Sequence, residues 1–317
     1  MNTWRILHGD VRAMLATIPE GSVQCCVTSP PYWGLRDYGV DGQIGLESSM
    51  EEFVSVMVDV FRGVRRVLAD DGVLWLNLGD SYAGQAGGCQ GKNGQRADRS
   101  FTACVPRKSS PGLKPKDLCG IPWRVALALQ SDGWWLRSDC IWHKPNPMPE
   151  SVTDRPTKAH EYVFLLTKSA SYFWDADSVR EEFADDRMGD PGTYRSKLAS
   201  HETPKGKHGN GVTGAGWDRG REIGGRNIRT VWSIASQPYS GAHFATFPEE
   251  LARRCIVSGS RTGDTVLDPF CGSGTTGSVA VGHGRDFIGC ELNAEYIKLA
   301  RKRIGGTAPL LAKEMKP

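Results

Sequence analysis

Two short stretches hold most of the residues in this 317-residue chain whose types and spacing lend themselves to chemistry. The first is "TSPPYWGLRDYG" (28–39), which follows the apolar run "SVQCCV". It sets a hydroxyl, two prolines and two rings at the end of a strand. Pro-Pro removes backbone donors and fixes φ, so it ends a strand anywhere, and this stretch alone does not distinguish a loop from a site. The second is "DTVLDPFCGSGTTGSVA" (264–280). Gly272, Gly274 and Gly277 spell GxGxxG between a strand pattern and a helix pattern, the context that motif requires. Glycines there let backbone approach a ligand closely, and the helix start presents free N–H groups. Nineteen residues after Gly272, Glu291 ends the next strand, where a carboxylate accepts from ribose hydroxyls. Together these features predict a nucleoside-bearing cofactor. Asp268 sits just before the turn, where an acid suits a cationic ligand and repels a pyrophosphate. That favours S-adenosylmethionine over a nicotinamide dinucleotide.

The elements that must position these residues alternate. Apolar runs over 4–10, 22–29, 72–80, 134–144, 160–169, 264–270 and 285–292 predict strands. Segments 121–133, 247–260, 274–284 and 293–304 predict helices. So does 50–68, where Phe53, Met57, Val60, Phe61, Val64 and Val67 recur at three- and four-residue steps. The alternation predicts an α/β doubly wound, mostly parallel sheet of at least six strands in one Rossmann-like domain over 1–317. Two strands joined by a turn signal without a helix predict an antiparallel edge pair.

Two Gly-rich segments break the pattern. Residues 84–118 carry seven Lys or Arg and two acids, and residues 195–230 carry eight and three, so each is +5. Long structureless loops in a compact domain usually serve function, and two basic ones on a chain of net charge +3 predict a polyanionic partner. The nine Cys form no CxxC pair, which argues against a disulfide framework and a zinc site, so no metal is expected. No apolar stretch approaches a membrane span and no signal peptide is evident, so a cytoplasmic protein without membrane contact is expected.

"TSPPYW" followed far downstream by "DPFCGSGTT" resembles the DNA amino-methyltransferases, which methylate N4 of cytosine or N6 of adenine. The order, catalytic segment first and cofactor segment last, is similar to the beta group, and the likeness runs from "ILHGD" to the final helix. The resemblance implies a permuted S-adenosylmethionine-dependent methyltransferase fold acting on double-stranded DNA. It also implies a cognate restriction endonuclease as partner, with monomer and homodimer both open. Ser29 and the Pro30 carbonyl, held stiff by Pro31, would accept the target's amino hydrogens, and Tyr32 would stack on the base. The cofactor would meet Asp268, Phe270, Gly272, Ser273, Gly274, Thr275, Thr276, Glu291 and Asn293. "HFATFPEEL" would bring Phe244, Thr246 and Pro248 to its methionine end, and "LHGD" would bring Asp10 to its adenine.

The base must leave the duplex to be reached. The two basic loops, with 175–230 as an inserted target-recognition region, are the expected DNA-binding parts. Trp33, Arg36, His143, Lys144, Asn146, Arg155 and Lys158 are further candidates at the sheet rim. Glu161 reads as a buried structural acid paired with a loop Arg. Ser29 favours cytosine N4 within the resemblance, with adenine N6 as the alternative. A nicotinamide oxidoreductase leaves "TSPPY" without a role, and a non-catalytic DNA-binding protein does not need both motifs intact. RNA is a further, weaker substrate class.

Overall fold

A computed structural model describes residues 2–84, 112–182, 225–237, 247–307 and 312–315. The parts of the two basic loops at 85–111 and 195–224 lie outside these residues, as do Phe244 and Thr246.

The strands are β1 (Asn2–His8), β2 (Val23–Thr28), β3 (Leu68–Leu78), β4 (Trp135–His143), β5 (His160–Thr167), β6 (Val231–Ser233), β7 (Thr265–Asp268), β8 (Asp286–Glu291) and β9 (Ala312–Glu314). The helices are α1 (Val11–Thr17), α2 (Met50–Val67), α3 (Ile121–Ser131), α4 (Glu249–Gly259), α5 (Thr275–Gly282) and α6 (Ala294–Thr307). Helix α2 forms for the reasons its sequence gives. The Ser49 hydroxyl accepts from the Glu52 N–H at 3.1 Å, and the Glu52 carboxylate reaches back to the Ser48 N–H at 3.0 Å. Its apolar face, including Phe53, Met57, Val60, Phe61 and Val64, is wholly buried. Each of the larger side chains there contributes roughly 1.5–3 kcal/mol.

The nine strands form one sheet in the order β6-β4-β5-β3-β2-β7-β8-β1-β9. All neighbouring pairs are parallel except those that β5 makes with β3 and β4. The antiparallel pair is therefore present one strand in from the edge, because β6 adds in parallel outside β4. Sequence periodicity missed α1, β6 and β9, since seven or three residues are too few to show a period.

One consequence positions the whole site. Eight strands run one way and β5 runs the other, so the C-terminal ends of eight strands and the start of β5 share a single sheet edge. In open α/β sheets that is the edge where ligands bind.

Residues Asp175–Arg229 form a second compact unit. In its described part, Glu181 and Arg226 exchange backbone hydrogen bonds of 2.9 and 2.8 Å. The Glu181 carboxylate also takes the Arg226 and Arg229 guanidinium groups, at 3.2 and 2.8 Å.

Candidate active site

Strand β2 ends at Thr28, whose buried hydroxyl donates to Asp268 Oδ1 at 2.7 Å. That bond joins residues 240 apart in the chain and ties the end of β2 to the end of β7. Ser29 follows at once and is partly exposed, while Pro30 is buried behind it. Pro31 and Tyr32 continue the turn, and Gly45 lies close against both. The Tyr32 ring rests on Gly79 at the end of β3, where a Cβ would meet the ring at 2.5 Å. Its hydroxyl donates to Glu161 Oε2 at 2.7 Å, and Asn77 Nδ2 reaches the same oxygen at 3.2 Å. Burial and the nearby Glu161 carboxylate push the Tyr32 phenol well above its ordinary range.

Glu161 is a half-buried acid at a strand start, as its sequence position implied, but its cation is Lys144 and not an arginine. The register explains this. Glu161 of β5 faces Trp142 of β4, and Lys144, two residues past Trp142, lies over the Trp142 ring at 4.2 Å and reaches Glu161 diagonally. Arg155 is drawn elsewhere, to Glu150 at 2.6 Å and onto the Tyr82 ring at 3.8 Å.

The glycine turn after β7 is held from beneath. Asp268 is buried, with Oδ1 accepting from Thr28 and the Phe270 N–H, and Oδ2 accepting from Thr276 Oγ1 at 2.7 Å. Burial lifts its carboxyl to about 6, although the Thr276 and Thr28 hydroxyls pull the other way. The side chain points inward as a brace between β2 and α5 and offers no open face to a ligand. Gly272 and Gly274 have positive φ, 50° and 81°. At Gly272 an added Cβ would meet only the Phe270 carbonyl, at 3.9 Å, so that side is open. At Gly274 it would meet Ala300 of α6 at 2.9 Å, and at Gly277 Ile304 and Phe287 at 2.5 and 2.6 Å. Of the three glycines, only Gly272 therefore has open space beside its Cα. Gly274 and Gly277 are glycine so that α5 packs on α6 and β8.

Glu291 bonds the Gly272 and Asn293 N–H groups, each at 2.8 Å, and burial raises its carboxyl. The Leu292 N–H also acts on this carboxylate, and since a carboxylate has about four lone-pair positions, acceptor capacity remains for a ribose hydroxyl. Asn293 caps α6 through the Glu295 N–H at 2.9 Å, and Asp10 caps α1 through the Arg12 N–H at 2.9 Å. The Arg12 guanidinium holds the Asp10 carboxyl below its usual range. Pro248 is buried at the start of α4. Sequence reasoning missed Arg303, which donates to Thr275 Oγ1 at 2.8 Å, approaches Ser273 Oγ at 3.4 Å and pairs with Glu249 at 2.8 Å. It pins the turn from α6, a role no local motif signals. The open side of Gly272, beside the spare acceptors of Glu291, fits a ligand with a ribose and a tight backbone contact.

The family model for DNA methylase, N6_N4_Mtase, matches residues 23–302. The chain belongs to this DNA methylase family.

The Type II methyltransferase M.Cfr9I of Citrobacter freundii is 47% identical over an alignment of 311 residues that covers 96% of this chain and 89% of that protein. Among solved structures, the chain resembles the Thermus thermophilus protein TTHA0409 complexed with S-adenosyl-L-methionine. The TM-score is 0.59 and the identity 24%, covering 98% of this chain and 99% of that one. It also resembles the cytosine-N4-specific PvuII DNA methyltransferase, with a TM-score of 0.61 and 20% identity, covering 96% and 86%. The protein is thus a DNA methylase by its family, with a fold like those of these two structures.

The candidate DNA contacts of this methylase do not share one setting. Trp33 is buried in the core, its indole N–H given to the Glu47 carbonyl at 3.2 Å. Arg36 hydrogen-bonds Tyr38, which meets Tyr296 of α6 edge-on at 6.3 Å, so this limb lies against α6. His143 bonds Ser233 at 3.1 Å and Asn146 bonds Ser236 twice. Lys158 lies 4.0 Å from Asp80, with burial lowering its ammonium. Lys144, Arg155 and Lys158 thus each stand beside a carboxylate. Among the described residues no group of three or more acids, His or Cys is arranged to hold a metal. No helix among them is long and apolar enough to cross a membrane.

Proposed function

We propose that this enzyme methylates the exocyclic N4 amino group of a cytosine flipped out of double-stranded DNA. The reading is supported most by the Thr28–Asp268 bond, which ties the residue before Ser29 to the glycine turn. The amino nitrogen is conjugated to the ring and is a weak nucleophile. Ser29 Oγ and the Pro30 carbonyl accept its two hydrogens, draw it towards sp³ geometry and aim its lone pair along the transfer axis. Bound S-adenosylmethionine supplies the activated methyl, with Gly272 and Glu291 as its main contacts. The proton leaves after the nitrogen has become cationic, so Ser29 need not be a strong base. Tyr32 offers a ring face to the extruded base.

Flipping costs a few kcal/mol. Contacts from the basic loops and from the rim side chains His143, Lys144, Asn146, Arg155 and Lys158 offset it, with residues 175–230 choosing the site. The phosphate share of that binding weakens as salt rises. Ser29, with the resemblance, carries the choice of cytosine. Digesting methylated DNA and identifying the modified nucleoside tests it. N4-methylcytosine is expected, and N6-methyladenine alone overturns the reading in favour of the adenine alternative. A partner endonuclease with the same site completes the proposed restriction–modification pair, and methylated DNA should resist it. Whether the enzyme works as a monomer or a homodimer is answered by sedimentation with and without DNA.

A further inference from the structure

Beneath the catalytic turn runs a polar chain. The Ser29 hydroxyl points to the Tyr32 hydroxyl at 3.4 Å, and the Tyr32 hydroxyl to Glu161 Oε2 at 2.7 Å. Its hydrogens have only one consistent direction. An ionised carboxylate accepts and never donates. Asn77 Nδ2 and Lys144 Nζ also present hydrogens to Glu161, so this carboxylate is surrounded by donors. The Tyr32 hydrogen must therefore point at Glu161. The phenol oxygen is left as an acceptor, and the Gly79 backbone N–H bonds to it as well. The Ser29 hydrogen then turns towards Tyr32, which leaves the Ser29 lone pairs free on its other side.

We propose that Glu161 is a positioning residue that sets the polarity of this chain. It fixes Ser29 as a hydrogen-bond acceptor at the moment the target amino group arrives. A hydroxyl is ambivalent by nature, since it donates as readily as it accepts. A serine free to donate would offer its hydrogen to the base's ring nitrogen or to water, and would lose its hold on the amino group. Glu161 removes that freedom from two hydrogen bonds away, through Tyr32, without touching the substrate. The antiparallel β5 makes this possible, because its first residues lie at the edge where β2 and β3 end. The inference rests on the proposed methyl transfer at Ser29 and extends it to a residue on another strand.

The test is a double-mutant cycle on labelled methyl transfer into DNA, with wild type, Glu161→Gln, Tyr32→Phe and the double variant. Gln keeps the shape but both donates and accepts, so the direction is lost. Each single variant should lower kcat by about 10- to 100-fold, the scale of a misaligned reacting group. KM for cofactor and for DNA should stay within about threefold, and the double variant should be no slower than the slower single one. A wild-type kcat in either single variant overturns the proposal. So do losses that multiply in the double variant, or a loss confined to KM. If Glu161→Gln does not melt cooperatively, Tyr32→Phe decides, since it deletes the same bond from the other side. That change should then cost nothing further in a Ser29→Ala background, and a further loss there overturns the proposal. No methyl transfer by the wild type to any DNA would instead remove the underlying function, a distinct result.

Discussion

The turn after β2 and the turn after β7 stand side by side, yet they are built differently. The β7 turn is fixed from within its own neighbourhood. Its glycines have positive φ, its carboxylates bond its own N–H groups, and α6 closes on Gly274 and Gly277. The β2 turn is fixed from afar. Tyr32 leans on Gly79, and its hydroxyl is held by Glu161, 129 residues away. A cofactor cradle built from packed backbone is rigid by default. An acceptor site built from side-chain hydrogen bonds is adjustable by single substitutions, and this suits the half that must discriminate between bases.

The contrast breaks most sharply at Ser29. Ser29→Ala should lower turnover by about 100-fold or more, the scale of one positioned transition-state hydrogen bond. Cofactor affinity, read by calorimetry, should hardly move, and a matching loss of affinity would mean the two turns are not separate in function. Next in size, Gly274→Val should destabilise the fold by about 1–3 kcal/mol, because its Cβ runs into Ala300 at a positive φ. Gly272→Ala should instead weaken cofactor binding, with a smaller loss of stability than Gly274→Val, because its cost is the positive φ without a clash. The reverse pattern would reassign the two glycines.

The smallest effect concerns the brace between the turns. Asp268 titrates near 6 in the fold against an ordinary 3.8. The folded state therefore holds this proton more tightly than the unfolded chain. The contribution of Asp268 to stability therefore falls as pH rises from about 4 to about 6 and is level above that. Asp268→Asn should flatten the melting temperature over that window. An unchanged slope would show that Asp268 is not the titrating group.

The glycine turn was legible because its constraints are local: spacing, a strand before and a helix after. Its apparent logic still needed correction at Gly274, whose missing side chain makes room for a helix about 25 residues further on. The Ser29–Tyr32 turn was legible only as a resemblance. Nothing near residue 32 announces Glu161, Asn77 or Lys144, because the contact depends on β5 running backwards. Lys144 and Arg155 looked alike as loop cations. Their different partners follow from the β4–β5 register, which a hydrophobic pattern does not encode. Arg303 was missed for the same reason, since an arginine in the middle of an amphipathic helix looks like any solvated one.

The single-edged arrangement of the strands also has a practical side. Chemistry crowds one end of the sheet, while the bends at 19–22, 132–133 and 168–171 lie at the other. A six-residue strand such as β2 separates the two by about 20 Å. Gly21 has open space around its Cα, and Ser22 beside it is exposed. A dye or surface tether attached there would stand clear of the described residues proposed to handle the base and the methyl donor.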